Sequence, residues 1–243
     1  MLPTYQYGYI LPVQFGEFMH YNFYQVVPDD AVMVAPPLNL QSFSGDGVEA
    51  AFKDFWRVFD FLVARKVDRI TQGGIPISAR LGRKRTLAFM EEAARRSPIP
   101  CQADFEESID ALKMLGAKKV GIAAKWEPSL MHNVKTYLEE AGFQVVGVIG
   151  NAHTAGEVIS LTTQQGHQVA LELARGGFKA APAADALLLA GGAWQNLPAV
   201  IQAEQEDGRP IVTNPTSSYW AALKQFGLKP KRKGFGALLD SLF

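Results

Sequence analysis

The chain has a single cysteine, Cys101, in 243 residues. One thiol excludes an intrachain disulfide and any cysteine-rich metal site. Histidine is scarce as well. The four imidazoles, His20, His132, His153 and His167, show neither HxxxH nor HxH spacing, nor the histidine–carboxylate spacing of a zinc protease. An excess of one charge is also missing, because 24 basic residues balance 24 acidic ones. Bulk electrostatics therefore favours no nucleic-acid partner. The densest basic run, Lys229 and Lys231 to Lys233, is short and reads as a solvated loop. No apolar run reaches the about eighteen residues of a membrane span. The opening residues lack the basic n-region and cleavage pattern of a secretory signal. There is no GxGxxG, P-loop lysine, GxSxG elbow or EF-hand pattern, so nicotinamide, ATP and serine-hydrolase readings have no motif support. The expectation is a cytoplasmic protein with no cofactor, no metal, and no membrane or nucleic-acid partner.

What the chain does have is apolar content, 48% of its residues, and two matching glycine loops. Thr71-Gln72-Gly73-Gly74 follows an apolar run ending at Ile70, and Ala190-Gly191-Gly192 follows Ala186 to Leu189. Each stands where a buried strand should end and a helix should soon begin. Glycine there allows a sharp turn and close approach to a ligand, with amides suited to an oxyanion. Two copies about half a chain apart suggest a duplication with a site between the halves. Short apolar runs alternate with helical periodicity along the chain, which implies parallel sheets covered on both faces. An eight-stranded barrel is the competing arrangement. Two loops, one per half, favour an α/β fold of two pseudo-symmetric open parallel-sheet sandwich domains with the site in the cleft between them. The first domain is expected over residues 1–102 with 218–243 returning, and the second over 103–217. Ligands of open parallel sheets bind at the carboxyl ends of the strands. That gathers Pro12 to Gly16, Asn39 to Ser44, Gln72 to Gly74, Lys125 to Pro128, Asn151 to His153 and Ala190 to Gly192 around one cleft.

Local patterns add detail. Apolar residues at spacings of three and four predict a helix over 48–65. Another helix is expected from Ser78 to Arg96, with a basic first turn. Asp104 can cap a helix over 105–115, with Glu107 completing a capping-box-like pattern. Gly176-Gly177 and Pro182 read as a return, and Thr216 and Ser217 as caps of the last helix. Among titratable residues near strand ends, Glu17, His153 and Glu127 rank in that order as candidate acid or base, ahead of His20 and Asp46. A carboxylate shielded by Trp126 or Phe43 would gain a raised pKa. Cys101 reads as buried and inert.

The ordered set TQGG at 71–74, PC at 100–101, LGAKKVGIAAKW at 115–126, LLLAGGAWQNLPAV at 187–200, PIVTNPTSSYWAALK at 210–224 and GFGALLD at 234–240 resembles the aspartate/glutamate racemase superfamily. It is most similar to the arylmalonate decarboxylase and maleate cis-trans isomerase branch. That resemblance implies two α/β domains, cofactor-free chemistry next to a carboxylate, and catalytic thiols in the glycine loops. Here Gln72 and Ala190 stand at the two thiol positions, so the family's thiol chemistry is not expected. By position the resemblance implies substrate contacts from Gln72, Gly73, Gly74, Trp126, Ala190 and Gly191, and the strand-end rule adds Gln14 and Asn39. The function expected is a thiol-independent lyase or isomerase-like enzyme acting on a small carboxylic acid or related carbonyl compound through an enolate-like state. The alternatives are a hydrolase using a carboxylate or histidine to activate water, and a small-acid binding protein without catalysis. A homo-oligomer, first a dimer, is the expected assembly.

Overall fold

The computed structural model describes residues 2–152, 157 and 160–243. The first half runs β1 (Tyr5–Ile10), α1 (Glu17–Val26), β2 (Ala31–Val34), α2 (Gly45–Phe52), α3 (Phe55–Ala64), β3 (Arg69–Gln72), α4 (Ile75–Leu81), α5 (Arg83–Arg96) and β4 (Cys101–Ala103). The second runs α6 (Asp104–Met114), β5 (Lys119–Ala124), α7 (Pro128–Glu140), β6 (Gln144–Gly150), α8 (Thr163–Ala180), β7 (Ala186–Ala190), α9 (Leu197–Asp207), β8 (Ile211–Val212), α10 (Asn214–Phe226) and α11 (Ala237–Asp240). Two four-stranded sheets result, ordered β2-β1-β3-β4 and β6-β5-β7-β8, with every pairing parallel. The shared order is the expected pseudo-symmetry, and no barrel closes. Strands covered on both faces must be apolar along their whole length. Ala186-Leu187-Leu188-Leu189-Ala190 is buried at all five positions.

Register brings the loops together. Ile10 at the end of β1 lies opposite Gln72, and Ala124 at the end of β5 lies opposite Ala190. The residues just past each central strand therefore sit beside a glycine loop. Pro12 neighbours Gly74 in one half, and Lys125 neighbours Gly191 in the other.

Three expected elements differ. The helix over 48–65 is two helices, α2 and α3, parted at Lys53-Asp54. The helix expected to Arg96 is likewise split at Gly82, whose φ of +78° ends α4 and starts α5. Gly176 and Gly177 lie inside α8 rather than in a return. A Cβ on Gly177 would fall 2.7 Å from Leu187 Cδ1, and one on Gly176 2.7 Å from Ile149 Cδ1. Glycine there lets α8 lie close on the sheet, at a propensity cost of about 1 kcal/mol per residue.

One apolar cluster crosses both halves, joining Tyr7, Tyr9 and Phe23 to Phe105, Ile122, Leu188 and Tyr219. Each large side chain so buried contributes about 1.5–3 kcal/mol. The C-terminal segment packs on the first half. Tyr219 donates to the Met19 carbonyl at 2.8 Å, Arg69 Nη1 to Gln225 Oε1 at 2.7 Å, and the Lys231 amide to the Val26 carbonyl at 2.8 Å. Thr213, not Thr216 or Ser217, caps α10, in a capping box with Thr216. No helix among the described residues is long and apolar enough to cross a membrane.

Candidate active site

The first glycine loop leaves β3 and turns at Gly74, whose φ is +109° and whose absent Cβ would lie 2.8 Å from Pro12 Cβ. The Gly73 amide donates to the Ile10 carbonyl at 3.0 Å. The Gly74 amide donates to Asp104 Oδ2 at 2.7 Å. Gln72 turns its side chain back, donating to the Gly73 carbonyl at 2.6 Å and accepting from Ser78 Oγ at 3.4 Å.

The second loop mirrors this. Gly191 has φ of +119°, and its amide donates to Asn214 Oδ1 at 3.0 Å. Its carbonyl accepts from Trp194 Nε1 at 2.5 Å and Asn196 Nδ2 at 3.0 Å. Asn214 Nδ2 then donates to Asp104 Oδ2 at 3.0 Å, and Tyr9 adds a third donor to that oxygen at 3.3 Å. A continuous bridge, Gly74–Asp104–Asn214–Gly191, thus ties the two loops across the pseudo-symmetry axis. The expectation that these amides face a ligand is corrected here, because Gly73, Gly74 and Gly191 all donate within the protein.

Asp104 and Glu107, at the start of α6, do not form a helix cap. Its N-cap is Ala103, without a side-chain bond. Asp104 is fully buried, and burial, aided by the nearby Glu107 charge, pushes its carboxyl up to about 7 against the donors that favour ionisation. Glu107 accepts from Arg69 Nη2 at 2.5 Å, Thr71 Oγ1 at 2.7 Å and Ser218 Oγ at 2.6 Å. Burial raises its pKa and Arg69 opposes the rise. Local spacing suggested caps, but long-range donors from both halves take both carboxylates.

Between the loops lies a cavity of about 150 Å³, with Pro12, Phe43, Lys125, Trp126, Gly191 and Asn214 in its wall. Lys125 is its unusual member. The side chain is 2% exposed, and Nζ has no hydrogen-bond partner. It sits 4.1 Å from the centroid of the Trp194 ring. Desolvation pulls its pKa down to about 7, which leaves a large neutral fraction near neutral pH. The indole N–H of Trp126 is also buried without a partner, and the ring meets Phe43 edge-on at 6.2 Å. Tyr9 and Lys125 are the titratable residues of the wall, which holds no carboxylate or imidazole among the described residues.

The candidates fall into two groups. Gln14, Gly74, Trp126 and Gly191 line the cavity, whereas Gln72, Gly73, Ala190 and Asn39 do not. Asn39 is an exposed residue with φ of +62° that accepts from Gln41. Glu17, exposed at the start of α1, lies outside the wall. So does Glu127, an exposed residue paired with Arg80 at 2.6 Å. Neither carboxylate has the shielding by the pocket that a raised pKa would need. His153 lies outside the described residues. His20 holds a ring nitrogen 2.9 Å from the Gly16 carbonyl. Burial pushes the Cys101 thiol up to about 12, away from the cavity wall. No group of three His, Cys, Asp or Glu side chains that could hold a metal ion occurs among the described residues. Lys125 was placed at the cleft by the strand-end rule but was not singled out for a chemical role. The available signal was a lysine directly after the apolar strand VGIAA, at the ligand end of the sheet.

Two pseudo-symmetric parallel-sheet halves enclosing a pocket between paired glycine loops define a cleft-type α/β protein. The chain belongs to the arylmalonate decarboxylase family, whose model matches residues 8–239. It is 24% identical over 222 residues to an arylmalonate decarboxylase of Bordetella bronchiseptica, covering 87% of each chain. It is 30% identical over 136 residues to a maleate isomerase of Pseudomonas putida, covering 56% of this chain and 52% of the relative. Among solved structures, a liganded double mutant of arylmalonate decarboxylase superposes with TM-score 0.88 at 22% identity, covering 98% of this chain and 100% of that one. A Nocardia farcinica maleate cis-trans isomerase carrying a covalently bound succinylcysteine intermediate superposes with TM-score 0.85 at 17% identity, covering 98% of each. With Cys101 the sole cysteine, this chain lacks the paired catalytic cysteines of the superfamily.

Proposed function

We propose that this protein is a cofactor-independent, thiol-independent lyase or isomerase-like enzyme that acts on a small carboxylic acid or related carbonyl compound through an enolate-like state. Membership of a family whose named relatives decarboxylate arylmalonates or isomerise maleate supports the reaction class. The observation that carries the reading for this chain is Lys125, a buried, partnerless amine in the wall of the pocket between the two loops. It offers protonic chemistry where Gln72 and Ala190 offer none. An amine with a pKa of about 7 exchanges protons in both directions at neutral pH, as a general acid–base group should. Glu17 and Glu127, which would have served a hydrolase as water-activating bases, lie outside the wall. With no carboxylate or imidazole of the described residues in the wall, proton transfer by the amine is favoured over hydrolysis.

The test follows deuterium uptake at the α-carbon and release of carbon dioxide over a panel of small carboxylic and keto acids in deuterated water. Turnover that is lost in Lys125→Met and kept in Glu17→Gln and Glu127→Gln is the expected result. Ligand binding with neither event would overturn the reading and leave a binding protein. Turnover that survives Lys125→Met would overturn the assignment to the amine.

A further inference from the structure

Three of the glycine-loop amides that would stabilise an oxygen-centred enediolate are engaged within the protein. Gly73 donates to Ile10, Gly74 to Asp104 and Gly191 to Asn214. Those three amides are therefore not open to a carbanion formed in this pocket. Nitrogen is the alternative the wall supplies. Lys125 brings an Nζ that is buried and bonded to nothing among the described residues, and its Cε lies 3.5 Å from the position a Gly191 Cβ would take.

Building on the lyase reading above, we propose that Lys125 is a nucleophile that forms an imine with a small 3-oxo carboxylic acid, and that the imine nitrogen is the electron sink for loss of carbon dioxide. The neutral amine adds to the ketone carbon, a proton is taken up from solvent, and water leaves to give a protonated imine; that proton returns to solvent when the imine is finally hydrolysed. The bond from the α-carbon to the carboxylate then breaks. Its electron pair forms the carbon–carbon double bond of an enamine, the C=N pair returns to nitrogen, and carbon dioxide departs. Proton uptake at carbon restores the iminium, and water hydrolyses it to the ketone and free Lys125. The balance is one 3-oxo carboxylate and one proton giving one ketone and one carbon dioxide.

Charge and size both suit this substrate. The wall contains no protein carboxylate among the described residues, so the counter-charge to the iminium is the substrate's own carboxylate. Cleavage removes both charges at once and yields neutral products. The largely apolar wall raises the energy of the paired ions more than that of the neutral enamine and carbon dioxide, and so accelerates the step. Trp126, also in the wall, has a buried N–H without a partner. A cavity of about 150 Å³ takes a guest of roughly benzene size, which a short-chain 3-oxo acid matches.

The experiment incubates the whole chain with acetoacetate and sodium cyanoborohydride, maps the digest by mass spectrometry, and follows carbon dioxide without reductant in parallel. The peptide holding Lys125 is expected to gain the mass of acetoacetate, or of its product acetone, less one oxygen atom. Lys125→Met should gain nothing at that position and release carbon dioxide at the uncatalysed rate. Lys125→Arg keeps a cation without forming an imine and should be equally inactive; release preserved in this variant would overturn the proposal. So would turnover that depends on Lys125 without any adduct, but the amine would then be a proton carrier and the lyase reading would stand. Neither adduct nor turnover with any acid of the panel would overturn both.

Discussion

Removing the Lys125 amine should make the fold more stable while abolishing its chemistry. The side chain is 2% exposed, with no partner at Nζ and a pKa pulled from 10.5 to about 7 by desolvation. Unfolded chains bind the lysine proton up to pH about 10.5, whereas the folded chain releases it near 7. Between those limits the unfolded state holds more protons, so native stability rises with pH. Below 7 both states are protonated and the full penalty applies; above about 10.5 it vanishes. At about 1.36 kcal/mol per pKa unit, the amine destabilises the native state by about 4 kcal/mol at pH 7 and about 2 kcal/mol at pH 9. Lys125→Met, with a stem of similar length, should exceed wild type by about those amounts in urea unfolding, the gap closing as pH rises. The range from 7 to 9 is chosen for a reason. Asp104, raised from 3.8 to about 7, contributes stability fully present below 3.8 and lost as pH rises to 7, so its contribution is largely constant above that. A variant no more stable than wild type at pH 7, with a gap that does not vary with pH, would refute the claim of a desolvated amine without a hydrogen-bond partner.

Three further outcomes are expected. Asp104→Ala leaves the Gly74 amide, Tyr9 hydroxyl and Asn214 amide without their shared acceptor; it should cost about 3 kcal/mol or more in unfolding free energy, with Asp104→Asn, which keeps an acceptor oxygen, milder. Gly74→Ala forces a side chain onto a φ of +109° and against Pro12; a loss of about 1–3 kcal/mol, together with weaker ligand binding in calorimetry, is the result to look for. Glu127→Gln breaks a pair whose acid is 56% exposed, and such surface pairs contribute about 0–1 kcal/mol; kinetics and urea midpoint should barely move.

Fold and site differed in how much the sequence disclosed. Strand-length apolar runs such as Ala186 to Leu189 and the paired glycine loops reported local geometry, so the two sheets followed from them. The helix break at Gly82 and the passage of α8 through Gly176-Gly177 did not follow, because one glycine broke a helix while two others let a helix approach a sheet. The site was legible only where backbone position sufficed. Gly74 and Gly191 reached the cavity wall. Asp104 looked like a cap because its partners, Tyr9 and Asn214, are 95 and 110 residues away in the chain. Lys125 was placed at the cleft, but its chemical role was not legible because its burial depends on Trp194 and the Gly191 loop, which no local pattern encodes.

The most direct measurement is an NMR titration of the Lys125 side chain, with Lys125→Met to assign its Cε and Nζ signals. A midpoint near 7, far below those of the exposed lysines, is the predicted result. A midpoint near 10.5 would leave Lys125 protonated throughout the neutral range, with too little free amine to take a proton or attack a carbonyl, and would contradict the central claim.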